Sequence, residues 1–183
     1  DSYIRVKISK IRTLTAVSVE HKTTGQIPNT KASDGMPFTY DGSLENNKWL
    51  SFVDESANTY QPCNKAYASL STPANQYSGV KRAGAANKIV TTFDTSSLGT
   101  DKVFALCYAE NDGSDTDATW ADSGLRLTVP KVYSLQIDSG YSGQAPLDMT
   151  SLPLASNRIL SEPNAEYIYA GTLEGQKWVS VVE

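Results

Sequence analysis

Side-chain catalysis needs a base, a nucleophile or a metal cage, and this chain offers few parts for any of them. His21 is the only histidine, so Ser-His-Asp, Cys-His and His-metal chemistries would all depend on it. It stands in "VEHKTTG", a strand end running into a turn, where a solvated turn histidine is the plainer expectation. Paired carboxylates would serve glycoside hydrolysis, which requires two acids about 5–10 Å apart. With 20 acidic residues such pairs arise by accident. Glu45 and Glu174 recur in matching contexts beside "NNKW" and "GQKW", and read as turn residues. No enzyme is expected.

The richest oxygen cluster is "ENDGSDTDATWAD", which supplies Glu110, Asp112, Asp115, Asp117 and Asp122. Oxygen-rich loops bind Ca2+, so Asp112, Asp115 and Asp117 are the candidate ligands, although the order departs from the EF-hand pattern. The alternative is a solvated hairpin loop, and no other cofactor is implied. Cys63 and Cys107 are the two cysteines. They permit one disulfide, which would close a loop of about 45 residues and stabilise the fold by about 3–4 kcal/mol. Two buried free thiols of a cytosolic protein are the other reading. Their spacing excludes a Cys/His metal site.

The elements that carry these residues are organised by a repeat. "DSYIRVKISKI" (1–11) returns as "DSGLRLTVPKV" (122–132), and "YDGSLENNKWLSFVD" (40–54) returns as "YAGTLEGQKWVSVVE" (169–183). Between them "GQIP" (25–28) corresponds to "GQAP" (143–146), giving offsets of 121, 118 and 129. Blocks in one order with a shared Lys-Trp pair describe a diverged tandem repeat. Its period of about 120 residues is the size of a domain rather than of a solenoid unit. Arg5 with Arg126, Lys48 with Lys177, and Trp49 with Trp178 are then the repeated structural residues. A recurring Trp on a strand is expected in a sandwich core before an exposed sugar platform. Of Tyr40, Tyr60, Tyr67, Tyr77, Tyr141, Tyr167 and Tyr169 many fall near turns, where exposed rings would stack on glycans or sit at protein interfaces; ordinary half-buried tyrosines are the other reading.

Local patterns read as β almost throughout. "YIRVKISKI" alternates Ile4, Val6 and Ile8 against Arg5, Lys7 and Ser9, and Leu125, Leu127 and Val129 alternate with Arg126 and Thr128. "TLTAVSVEH", "KWLSFVD", "KIVTTFD", "KVFALCYAE", "YSLQI" and "KWVSVVE" are further strands rich in Val, Ile, Thr and aromatics. "NKAYASL" (64–70) suits one short helical turn. Turn clusters such as "TTGQIPN", "STPANQYSG" and "ENDGSDTD" separate them.

The hairpin "FALCYAE-NDGSDTDAT-WADSGLRLTV", with a Cys in its first strand, resembles the late strands of tandem immunoglobulin-like or fibronectin-like sandwich repeats. That resemblance implies an all-β architecture of Ig-like antiparallel sandwiches in an extracellular structural or adhesive protein. Trp49 precedes the first Cys, and no Tyr stands two residues before Cys107, so an antibody-type domain is not implied. Residues 1–9 are then the closing strand of a preceding unit or an exchanged strand. Residues 10–129 form a complete sandwich, and 130–183 the first half of a second.

Net charge of −4 and a pI near 5.0 give no general affinity for phosphate backbones, so nucleic acid is not expected as a partner. No apolar run reaches the length that spans a bilayer, and the N-terminus has no signal-peptide pattern, which leaves a cytosolic protein on one side and a mature product or internal segment on the other. A composition rich in Ser, Thr, Gly, Asn and Ala, as in many extracellular β-proteins, favours the second. There is no N-x-Ser/Thr sequon. The expected role is a fibre, stalk or surface appendage outside the cell, with other copies or neighbouring repeats as partners. A glycan-binding module is the alternative and a hydrolase the last choice.

Overall fold

Along Ala121–Thr128, Ala121, Ser123, Leu125 and Leu127 are buried while Asp122 and Gly124 face solvent, the alternation of a strand with one covered face. Phe104–Ala109 is buried at every position, so both of its faces are covered. This contrast sets the architecture. The computed structural model describes residues 8–138, 147–148 and 166–180, and the chain divides into two units, Asp1–Val129 and Pro130–Glu183. Arg5 and most of the expected closing strand at 1–9 lie outside the described residues.

The first unit is a two-sheet β-sandwich. Its strands are β1 (Ile11–Ala16), β2 (Val19–His21), β3 (Thr24–Gln26), β4 (Phe38–Gly42), β5 (Trp49–Asp54), β6 (Lys81–Arg82), β7 (Ile89–Val90), β8 (Phe104–Ala109) and β9 (Ala121–Thr128). One sheet runs β2-β1-β4-β7 and the other β3-β9-β8-β5-β6. All pairings are antiparallel except β3 with β9, which is parallel. Ile11, Leu14, Phe38 and Tyr40 from the first sheet meet Leu50, Phe52, Phe104, Leu106 and Leu125 from the second in one core. Phe38, Phe52 and Phe93 pack within it with ring centroids 4.7 to 5.9 Å apart.

Two expectations change here. "TLTAVSVEH" is not one strand but a hairpin, because Val17 and Ser18 take positive φ (50° and 63°) and reverse the chain between β1 and β2. "TTGQ", expected as turn, supplies β3, which carries no apolar face and pairs through a parallel backbone ladder with Arg126, Leu127 and Thr128.

The second unit holds β10 (Val132–Asp138), β11 (Leu147–Asp148) and β12 (Glu166–Gly171) in the order β11-β10-β12. Its register reproduces that of β1 with β4. Ile11 pairs Gly42 and Leu14 pairs Tyr40, with a shift between Ile11 and Thr13. Val132 pairs Gly171 and Leu135 pairs Tyr169, with a shift between Val132 and Ser134. The following turns also agree. The Tyr40 hydroxyl donates to the Glu45 carbonyl at 2.5 Å, and the Tyr169 hydroxyl to the Glu174 carbonyl at 3.2 Å. Glu45–Lys48 and Glu174–Lys177 are equivalent ion pairs, at 3.4 and 3.8 Å.

Gly42 (φ 135°) and Gly171 (φ 152°) explain why that turn keeps its glycine. A Cβ would stand 2.3 Å from the Lys10 carbonyl oxygen at Gly42 and 1.9 Å from that of Lys131 at Gly171. Gly42→Ala should therefore destabilise the first unit by about 2–4 kcal/mol, read from denaturant midpoints. An unchanged midpoint would show that the strand end can yield.

The middle sequence block does not follow this correspondence. Leu147–Asp148 pairs β10 at Ile137 and Gln136 as Val19–Glu20 pairs β1 at Ala16 and Thr15, an offset of 128 where "GQIP/GQAP" gives 118. A Gly and a Pro in a short loop are common turn chemistry and fix no register. "GQAP" itself lies outside the described residues.

Candidate functional site

Chemistry-bearing residues gather on the outer face of the five-stranded sheet. β8 presents Phe104, Leu106 and Tyr108 to the inter-sheet core and the smaller Ala105, Cys107 and Ala109 outward. Those small side chains leave room for a third layer. It is built by residues 55–80, with Ala68 buried and Ala57, Cys63, Tyr67, Tyr77 and Val80 packed against Val53, Ala105, Cys107, Ala109 and Trp120.

The layer is fastened at three places. Asp54, 3% exposed, accepts from the Ser56 N–H and hydroxyl and pairs with the Lys102 ammonium at 2.6 Å. Burial raises its pKa, but Lys102 and Ser56 outweigh that and hold the carboxyl below the usual range. Cys63 and Cys107 form a disulfide with Cα atoms 5.2 Å apart. The Ser78 hydroxyl accepts from the Phe52 N–H at 3.0 Å and donates to the Gly79 carbonyl at 3.1 Å. The expected helical turn lies at Lys65–Ala68, capped by the Asn64 side chain. Before the bridge, Asn58, Thr59 and Tyr60 all have left-handed backbone (φ 50°, 57° and 61°), and Tyr60 stands 76% exposed. The disulfide therefore ties a cover to one sheet. It is the pairing expected from the two cysteines, and it lies on the outer face of the five-stranded sheet rather than between the sheets.

Trp49 differs from its expected place between the sheets. It opens β5, is half-buried, and packs with the outer cluster. Its indole N–H donates to the Asn111 carbonyl at 3.2 Å, and the Arg82 guanidinium lies 5.2 Å from the ring centroid. A Cβ at Gly113 (φ 67°) would come within 2.5 Å of the ring, so only glycine fits beneath it. Lys48 donates to the Glu110 carbonyl at 2.9 Å. Trp178, by contrast, is 99% exposed rather than core, because nothing among the described residues takes the place that Asn111, Gly113 and Arg82 hold around Trp49. Arg126 is held by Asp122 at 2.7 Å and Glu55 at 3.3 Å, which raise its pKa.

The acidic loop is stapled from within. Asp117 Oδ2 accepts from the backbone N–H groups of Asn111, Asp112 and Gly113 at 3.0 to 3.2 Å. Its Oδ1 accepts from the Thr119 N–H at 2.9 Å and the Thr119 hydroxyl at 2.6 Å. Burial raises the carboxyl pKa, but the Thr119 hydroxyl and these N–H groups carry it down to about 2. The candidate Ca2+ ligands Asp112, Asp115 and Asp117 are not gathered into one cluster among the described residues. Asp117 spends its lone pairs on the loop, Asp112 accepts from the Ser114 N–H, and Asp115 is exposed. Among the described residues no group of three or more His, Cys, Asp or Glu side chains could hold a metal ion. Asp115 instead lines a shallow open groove of about 520 Å³ with Lys65, Ala66, Ser69, Leu70 and Ser71.

His21 corrects another expectation. It is 5% exposed, its Nε2 has no hydrogen-bond partner, and its ring fills the space where a Gly25 Cβ would stand. Because β3 departs from β2 to join the other sheet, the turn folds over the ring and hides it. Burial lowers the His21 pKa from 6.5. The unfolded chain then takes up a proton that the folded chain refuses, so stability falls as pH drops through about 6.5. His21→Leu should flatten that slope in melts between pH 7.5 and 5.5, and a slope unchanged by it would place the acid sensitivity elsewhere.

Of the tyrosines, Tyr40 is buried with its hydroxyl pKa pushed up to about 12 by burial, Tyr67 and Tyr77 pack in the outer layer, and Tyr60 is exposed. Tyr141 and the Tyr167 side chain lie outside the described residues. Sequence reasoning missed the outer layer and the Asp117 staple. The signal for the staple was a Gly and a Thr flanking one Asp in a hairpin loop.

The described residues thus define a predominantly β protein, a two-sheet sandwich with a disulfide-fastened outer layer. Compared with family models, curated proteins and solved structures, the chain matches none.

Proposed function

We propose that the chain is a non-catalytic structural or adhesive segment of an extracellular repeat protein, in which Ig-like sandwich units of about 120 residues follow one another in a fibre, stalk or surface appendage. The observation that carries this reading is the bulged register shared by β1–β4 and β10–β12. Two independent domains have no reason to place a strand shift, a glycine, a tyrosine hydroxyl bond and a Glu–Lys pair at matching positions. Support for the Ig-like description comes from the strand order β3-β9-β8-β5-β6, with its short parallel edge strand beside the last strand of the unit. Support for an oxidising, extracellular setting comes from the disulfide.

In such a role the unit needs a stiff core and a closed surface rather than a reactive cleft. Neighbouring repeats or other copies of the protein are its partners. The test is the full coding sequence read in both directions from this segment. Further copies of "DSxxRLxVxKV" at about 120-residue spacing are expected. A flanking catalytic domain with no further copy would overturn the reading. A glycan-binding module is the second reading, favoured by the exposed ring of Tyr60 on its left-handed turn, and binding of oligosaccharides lost in Tyr60→Ala would select it.

A further inference from the structure

Trp49 and Trp178 begin equivalent segments, yet their surroundings differ completely. In the first unit Trp49 is half-buried and Leu50 fully buried, and the strand continues paired with β8: Trp49 opposite Ala109, Leu50 opposite Tyr108, Ser51 opposite Cys107. In the second unit Trp178 is 99% exposed and Val179 52% exposed, and no strand pairs with residues 177–180 among the described residues. Yet the turn that leads into each segment is the same, down to the tyrosine hydroxyl bond, the Glu–Lys pair and the positive φ of Asn47 and Gln176. The platform is built in both units. Its cover is seen in one.

We propose that residues 177–180 form a docking edge for a β-hairpin of the β8–β9 type, with Trp178 as its anchor. This rests on the reading of residues 130–183 as a second copy. The first unit states what the occupant must bring. An extended strand must pair with the edge and place a small residue opposite the Trp, as Ala109 does. A glycine must follow so that the indole can lie flat, as over Gly113. Two carbonyls must accept from the indole N–H and the lysine ammonium, as those of Asn111 and Glu110 do. The small residue, the glycine and the two carbonyls lie in one short stretch, 109–113, so a single hairpin supplies them together, while the guanidinium beside Trp49 comes from Arg82 on β6 and is not part of it. The β8 of a second copy cannot serve, because both its edges are already paired, to β5 and β9. A sugar ring matches less well, since the equivalent indole is met by backbone groups.

The test uses the full chain, 15N-labelled, and an unlabelled peptide of residues 103–129 carrying Cys107→Ser, both free and joined to Glu183 through a flexible linker. The linker raises the effective concentration to about millimolar. The Trp178 indole N–H signal, assigned with Trp178→Phe, should shift saturably and become protected from exchange. The effect should weaken about tenfold or more in Trp178→Ala chains or with a Gly113→Val peptide. Trp178 is exposed, so its replacement leaves the fold intact. No shift in either format, or an equal response with the Gly113→Val peptide, overturns the proposal. A Trp178 signal that moves with chain concentration alone makes a second copy the occupant and also overturns it. If the β10–β12 register is found in solution while the hairpin fails to bind, only the docking falls. If that register is absent, the repeat reading falls with it.

Discussion

Reducing the Cys63–Cys107 bridge, or replacing both cysteines by alanine, is expected to lower the stability of the first unit by about 3–5 kcal/mol and its melting temperature by about 10–15 °C. The bridged residues are 44 apart, so opening the bridge frees a long loop in the unfolded chain. The folded state loses as well. The cover over Val53, Ala105, Ala109 and Trp120 is then held by the Asp54 and Ser78 contacts and by its own packing. Thermal melts of the oxidised, reduced and doubly substituted protein check this. Equal melting temperatures would mean that the outer layer is anchored without the disulfide.

The second large effect is at Asp117. Asp117→Asn keeps the size but turns one accepting oxygen into a donor. Either the N–H groups of Asn111, Asp112 and Gly113 or the two donors of Thr119 then face an NH2 group. The expected loss is about 2–4 kcal/mol, since buried donors go unsatisfied. The pH dependence has a definite sign. The folded carboxyl titrates at about 2, below its ordinary 3.8, so its contribution is complete above pH 4 and is lost as pH falls through 2. At neutral pH that shift corresponds to about 2–3 kcal/mol. Denaturant midpoints at pH 6 and pH 2.5 should therefore differ less in Asp117→Asn than in the parent. The disturbance should also reach Trp49, whose indole N–H is held by Asn111 in the same loop. Equal pH dependence in the two proteins would contradict the staple.

What could be read from the sequence follows from how local each signal is. β9 and β5 were legible because their residues carry the pattern themselves, alternating or continuously apolar. The one-turn helix at Lys65–Ala68 has its Asn cap beside it in the sequence. The Trp-containing turn was legible because its residues at 40–54 recur at 169–183. The outer layer was not, because β8 looks the same whether its Ala-Cys-Ala face meets solvent-side loops or a packed cover. β3 carries no apolar alternation, and its place is set by a parallel ladder to residues about 100 positions away. The site residues divide in the same way. His21 was expected in solvent because the turn after it is polar, but that turn is a sheet crossover that folds over the ring. Asp117 was grouped with its acidic neighbours by type, whereas its role is set by the backbone N–H groups that converge on it.

A tandem array requires residues 130–183 to repeat the strand arrangement of residues 10–54. Cross-strand proton contacts in the isotope-labelled full chain measure it most directly. Contacts of Leu135 with Tyr169 and of Val132 with Gly171 are expected, with a shift between Val132 and Ser134, beside those of Leu14 with Tyr40 and Ile11 with Gly42. A register displaced by one residue would turn every side chain of β12 to the opposite face and contradict the repeat.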